Sequence, residues 1–379
     1  MAVVSLVLSG CGTHVAQGPA SPTPPVTASD APGTQTPPNP NTTPPAVKPP
    51  ETPTPVKREV PNPVHGIMIS GWYAGSPDLS GPLLTWAKGA GINTLVLDIK
   101  AEDGKLSWES DVPLAKEIGA NLRKVGDMAK VIKEMHDQGF WVAGRIVTYN
   151  DASLYRARPA WGIPGFPGGA YSFMDPKNEN VWQYNLDVAK AAVKVGVDEI
   201  QFDYIRYPDK LIAGFNKDTG PEYRTSNINH FLQKAVDELH PLGVKVSADV
   251  FGLTTSVAEG DDMQIGQDYK QMAEIVDYIS AMAYPSHYAA GTYGLANPNK
   301  APYETVKNSL QRGLDRTPGI PIEKHRPWIQ DFNLGGVVYG PAEVMAQVKA
   351  LNDVGIKSWL IWDPSNKYSR GNDYAKTGQ

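Results

Sequence analysis

The stretch VDEIQFDYIRYP, residues 197–208, decides how the rest of the chain is read. Its first half is β-rich, and its second half crowds Asp203, Tyr204, Arg206 and Tyr207 into five positions before Pro208. In a strand, side chains alternate between faces. Ile200, Phe202 and Tyr204 therefore share one face, and Glu199, Gln201 and Asp203 the other. The apolar face is expected to meet a layer of helices, which turns Gln201 and Asp203 the opposite way. The stretch reads as a buried strand that runs out into a polar rim, with the proline closing it.

Seven similar runs flank it. GIMISGWYAG (66–75), NTLVLDIKAEDG (93–104) and WVAGRIVTYN (141–150) precede it. VKVSADVFG (244–252), VDYISAMAYP (276–285), RPWIQDFNLG (326–335) and KSWLIWDPSN (357–366) follow. Between them lie segments of helical period, such as DMAKVIKEMHDQGF and NENVWQYNLDVAKAAVKVG. Several end in glycine just before the next strand, at Gly91, Gly139, Gly196, Gly243 and Gly355, as helix C-caps do. Eight strand–helix units in one stretch of chain predict a (β/α)8 TIM barrel over residues 64–379. An open doubly wound sheet is disfavoured by the strand count and by the missing Gly-x-Gly-x-x-Gly after the first strand.

The chain has 379 residues, 41% hydrophobic and 20% charged, with a formal net charge of −5. Those values suit a soluble globular domain and lack the basic stripe of a nucleic-acid binder. Its single cysteine, Cys11, excludes an internal disulfide and a cysteine metal site. The histidines never fall in a His-x-x-x-His pattern, and AEGDD (258–262) reads as a solvated loop, so no metal is expected.

Residues 1–11, MAVVSLVLSGC, give an apolar run followed by Leu-Ser-Gly-Cys, which resembles the lipobox of bacterial lipoproteins. That resemblance implies lipidation of Cys11, a membrane anchor and an extracytoplasmic location. The Lys/Arg that usually precedes the apolar run is missing. Residues 12–63 form a Pro/Thr-rich segment, with 16 of the 34 prolines lying in the first 63 residues. Such a composition buries too little apolar surface to fold and favours extended polyproline II. At ~3.1 Å per residue it makes a spacer reaching on the order of 150 Å.

In (β/α)8 barrels the C-terminal strand ends carry the chemistry. Here carboxylates stand near six of the eight ends, with Tyr and Trp interleaved. Acids that run glycosidic cleavage and aromatic faces that stack on pyranose rings suit a sugar polymer. On the fifth strand Val246, Ala248 and Val250 take the helix side and leave Ser247 and Asp249 inward. Asp203 and Asp249 then lie inward on neighbouring strands about 4.8 Å apart. Their carboxyls are placed for the ~5–5.5 Å of a retaining glycosidase or the wider gap of an inverting one.

Asp203, Asp249 and Asp331 are the catalytic candidates. Trp72, Tyr73, Asp98, Lys100, Tyr204, Arg206, Tyr284, His287, Trp328, Trp362 and Asp363 are the substrate-binding candidates. Each has a plainer competing role: an Asp203–Arg206 rim pair, an Asp249 helix cap, or aromatics that simply pack.

At these strand ends the sequence resembles a bacterial family of glycosyl hydrolase domains, long catalogued as a domain of unknown function. GWYAG, LVLDIKAEDG, DEIQFDYIRYP, SADVFG, ISAMAYPSHY and WLIWDPSNKY carry the resemblance over almost all of residues 65 to 370. It implies a TIM barrel distantly related to alpha-amylase-like and other retaining glycosidases. In those relatives an acid ending strand four is commonly the nucleophile, and one on strand five or later is the general acid. By position this makes Asp203 the nucleophile and Asp249 the acid/base. The alpha-amylase relatives carry Glu where this chain has Asp249, which leaves Asp331 as stabilising acid or alternative proton donor.

The expectation is a monomeric, lipid-anchored hydrolase of a polysaccharide or cell-surface glycan that needs no cofactor. Two other readings stand beside it: a non-catalytic glycan- or wall-binding lipoprotein on a degenerate barrel, and a small-molecule lyase or aldolase with Lys100 as its Schiff-base lysine.

Overall fold

A computed structural model describes residues 58–166, 172–209 and 219–376. Cys11 and most of the 12–63 spacer lie outside the described residues. Eight parallel strands close on one another in sequence order: β1 (His65–Ile69), β2 (Thr94–Lys100), β3 (Trp141–Val147), β4 (Glu199–Asp203), β5 (Lys245–Phe251), β6 (Tyr278–Met282), β7 (Trp328–Gln330) and β8 (Trp359–Trp362). β8 returns to β1 with Gly66 opposite Leu360. This is the expected (β/α)8 barrel. No described helix is long and apolar enough to cross a membrane.

The helices form where the sequence periodicity places them, including Pro77–Gly89, Met128–Asp137, Glu179–Lys194, Pro221–Leu239, Pro302–Arg316 and Pro341–Asp353. Their starts carry the expected chemistry: the Asp127 carboxylate accepts the Lys130 N–H at 2.9 Å, and four of the six begin on proline. Gly139 (φ +90°) and Gly196 (φ +110°) end two of them in the left-handed region that favours glycine. One sequence run changes character: Gly71–Ala74, read as the end of the first strand, is a helical turn capped by Ser70.

Strand parity sorts the core into two. Outward-facing Ile67, Leu97, Ile99, Ile146, Ile200, Phe202, Val246 and Val250 join the helices in the large outer cluster. A smaller cluster fills the barrel itself: Val64, Met68, Val96, Ala143, Tyr284, Trp328 and Leu360. Polar inward side chains sit above and below it. At the lower end Glu199 accepts from Arg326, Trp141 Nε1 (3.1 Å) and Ser247 Oγ (2.5 Å). Midway, Gln201 Nε2 donates to Ser280 Oγ at 3.4 Å. At the upper end lie the acids of the mouth. Residues 58–63 lie against the other end: Arg58 is 3.7 Å from Asp198, and Val60 packs on the interior cluster.

Candidate active site

The mouth is organised by an arginine that the sequence reading passed over. Arg145 points inward from β3, two residues before its end, beside Asp98 of β2 in register and two residues below the level of Asp203 on β4. Its Nε and Nη2 donate to Asp203 Oδ2 at 2.9 and 2.6 Å. Its Nη1 donates to Asp98 Oδ1 at 2.7 Å, and Nη2 reaches Glu102 Oε1 at 2.6 Å. The Trp362 ring lies 4.8 Å from the guanidinium carbon. Three carboxylates thus converge on one cation that is 1% exposed.

Asp203 takes one more donor. Tyr204 adopts φ +47°, a left-handed conformation uncommon for a tyrosine. This bend at the strand end aims the Tyr204 N–H at Asp203 Oδ1, 2.6 Å away. Both carboxyl oxygens of Asp203 therefore accept from an N–H. Glu102, on the loop after β2, is exposed. Partial desolvation beside the buried guanidinium opposes its ionisation, but the Arg145 charge outweighs it and holds the carboxyl below the usual range. For Asp98 burial wins over Arg145, and the carboxyl is pushed up to about 6.

Asp249 meets the opposite surroundings. It is 1% exposed, and among the described residues the one hydrogen bond to its carboxyl is from Trp328 Nε1 to Oδ1, 2.8 Å, reached across the barrel interior from β7. Burial first, and the nearby Asp203 charge second, push its carboxyl well above the usual range. Tyr284, after β6, is buried against both acids and its hydroxyl is likewise pushed up. The parity argument that turned Asp203 and Asp249 inward on adjacent strands agrees with both environments. Asp249 sits within β5 and caps no helix.

The remaining candidates divide. Asp331, just past β7, accepts from Ser369 N and Oγ at 2.6 Å each, and burial raises it to about 6. Asp363, past β8, spends its oxygens on its own loop, accepting from Ser365 N, Ser365 Oγ and Lys367 N. Trp328, through its bond to Asp249 and its 1% exposure, supports a carboxyl instead of offering a sugar face. Trp72 stands 59% exposed on the turn after β1, with Lys124 Nζ 6.0 Å from its ring. Tyr73 and Tyr204 pack on the outer core. His287 contacts Ser286 Oγ (3.0 Å) and meets Tyr284 and Phe332 edge-on, and burial lowers its pKa.

Arg206 is packed within the β4–β5 region. Its guanidinium lies 4.5 Å from the Phe251 ring and 5.2 Å from that of Phe173, and Nη1 donates to Tyr207 O at 2.9 Å. The guanidinium bonded to Asp203 is that of Arg145. Lys100 is fully buried and paired to Asp151 at 2.7 Å, beneath the loops and apart from the Arg145 cluster. Burial lowers its pKa against the pull of Asp151.

Arg145 had a sequence signal. In WVAGRIV, Val142 and Ile146 mark the helix-facing side, and the same parity applied to β4 and β5 turns Arg145 inward. Glu102 had none beyond its place in the AEDG loop.

The comparisons agree with this architecture. A family model described as "Putative glycosyl hydrolase domain" matches residues 66–368. No curated protein sequence matches the chain. Among solved structures, a hypothetical protein from Ruminiclostridium thermocellum is 36% identical, covering 48% of this chain and 97% of that one, with a TM-score of 0.43. The glycoside hydrolase domain of PgaB (BpsB) from Bordetella bronchiseptica is 12% identical with a TM-score of 0.60, covering 80% and 94%. A class V chitinase from Pseudomonas fluorescens Pf-5 is 12% identical with a TM-score of 0.53, covering 83% and 98%. The last two are likenesses of fold. The family match runs from the first strand to beyond the eighth, and on that match the chain belongs to the family of glycosyl hydrolase domains.

Proposed function

We propose that the domain hydrolyses a polysaccharide or cell-surface glycan with two carboxyls at the barrel mouth. The observation that carries this reading is the opposed surroundings of Asp203 and Asp249 on adjacent strands. One is faced by donors on both oxygens; the other is buried with a single N–H. Environments that push two neighbouring acids apart assign the roles of acid and nucleophile.

In this mechanism Asp203 attacks the anomeric carbon as the glycosidic C–O bond breaks, and the Asp249 proton passes to the leaving oxygen. The resulting Asp249 carboxylate then takes a proton from water. That water attacks the anomeric carbon and releases Asp203, so two displacements leave the anomeric configuration unchanged. Asp331 is the competing proton donor, because it too is buried with a raised carboxyl. The fold neighbours named as a glycoside hydrolase domain and a chitinase are compatible with a carbohydrate substrate.

Turnover of a glycan panel by the wild type and by Asp203→Asn tests the reading. Wild-type cleavage that the variant loses supports it, and glycan binding without wild-type turnover sinks it. That second outcome is the mark of a non-catalytic glycan-binding domain.

The apolar N-terminus and the Leu-Ser-Gly-Cys sequence support an extracytoplasmic placement with a lipid on Cys11. Mass spectrometry of the membrane-extracted protein, compared with Cys11→Ala, checks it. An unmodified Cys11 on an intact N-terminus overturns the anchor.

A further inference from the structure

We infer that Arg145 is the positioning residue of this reaction, its guanidinium fork fixing the Asp203 carboxyl in place for attack. The inference rests on the role proposed for Asp203, and nothing in the family match assigns Arg145.

Three observations carry it. First, the fork is directed: Nε and Nη2 converge on the single oxygen Oδ2. Oδ1 is left with the Tyr204 N–H alone, so Oδ1 is the oxygen that attacks. A planar guanidinium with two fixed donors sets the rotamer of a carboxylate, which an ammonium does not do. Second, the fork is itself immobilised. Asp98 holds its far side at 2.7 Å, and the Trp362 ring lies 4.8 Å from it. Third, the charges do not balance. One buried cation serves Asp98, Glu102 and Asp203, whereas a pair kept for stability alone is best neutral. Other titratable groups acting on the cluster are Asp249, Tyr284, Tyr204, Arg206, Lys124 and, lower in the barrel, Arg326.

The test measures kcat and KM of the full chain on the best panel substrate. In Arg145→Gln kcat is expected to fall on the order of 10²-fold through lost alignment, while KM stays within a few-fold. Arg145→Lys restores the charge without the fork, so kcat stays low there too.

Glu102→Gln guards against variants that do not fold, because its side chain is exposed. Removing that carboxylate loosens the hold on Arg145 Nη2, and kcat is expected to fall several-fold with KM little changed. A folded Arg145→Gln with unchanged kcat, or with its loss carried by KM alone, overturns the inference. So does an unchanged kcat in Glu102→Gln where both Arg145 variants fail to fold. A wild type that turns over no glycan sinks the hydrolase reading, and the inference falls with it. An active wild type beside unaffected Arg145 variants sinks the inference alone.

Discussion

The barrel holds an arginine at each end, and the two are used differently. At the lower end Arg326 meets a single carboxylate, Glu199, and both are 0% exposed. Trp141 and Ser247 complete the acceptor set of Glu199, and the Arg326 guanidinium lies 4.4 Å from the Tyr278 ring. At the mouth Arg145 meets three carboxylates, and Asp249 stands near them with no cation bonded to it. The first arrangement is neutral and closed. The second sets three carboxylates against one buried cation, an imbalance that costs stability unless it is used. A barrel selected only to fold would balance both ends.

That contrast is broken most forcefully at Asp203. Asp203→Asn is expected to cut turnover by at least about 10³-fold, as loss of a group that bonds to substrate does. The same change removes one of three anions from Arg145, so the melting temperature should hold or rise, the usual opposition between stability and activity at a strained site. Calorimetry beside kinetics checks the pair of outcomes. A variant that is both inactive and strongly destabilised makes Asp203 a structural anchor like Glu199.

The mirror-image change comes next. Glu199→Gln leaves Arg326 buried and uncompensated, at an expected cost of about 3–5 kcal/mol in urea unfolding. The kcat of the molecules that remain folded should be unchanged. A loss of kcat in the folded fraction would show that the lower pair is coupled to the mouth.

The pH dependence of stability separates the ends further. Asp331 is raised from 3.8 to about 6 by burial, so the folded state binds its proton more tightly than the unfolded state. Its stabilising contribution is therefore full below pH ~4 and is lost as pH rises from about 4 to about 6. In Asp331→Asn that decline should flatten, a difference of about 3 kcal/mol at pH 7. Melting temperatures of both proteins across pH 4–8 measure it; parallel curves would contradict the burial argument.

Period and parity made much of this legible before any coordinates. The eight strands, the glycine caps and the inward turn of Asp203 and Asp249 follow from local alternation, which the closed sheet preserves. What stayed hidden is what a barrel brings together from afar. Arg206 is three residues from Asp203, yet Asp203 bonds to Arg145 of the neighbouring strand, because lateral neighbours in a parallel sheet are distant in sequence. Trp328 finds Asp249 across the interior, 79 residues away, and so a suspected sugar platform proves to be the support of an acid. Gly71–Ala74 carries no helical period because it is a single turn, too short for periodicity to show.

The smallest expected effect concerns Trp72, the most exposed aromatic among the described residues. Trp72 is 59% exposed on the turn after β1, and Lys124 approaches its ring without covering it. A single exposed aromatic needs no functional explanation by itself. This one stands at the C-terminal end of a barrel strand, where ligands are bound. A ring that stacks on a pyranose contributes about 1 kcal/mol, so Trp72→Ala should raise KM roughly 5-fold and leave kcat alone. Stability should stay within about 0.5 kcal/mol, since little packing is lost. Chain length supplies the decisive control. If Trp72 holds a sugar away from the cleavage point, the KM penalty appears on long oligosaccharides and vanishes on those too short to reach it. An equal penalty at every length places Trp72 beside the reacting bond, and no penalty at any length leaves it an ordinary surface residue.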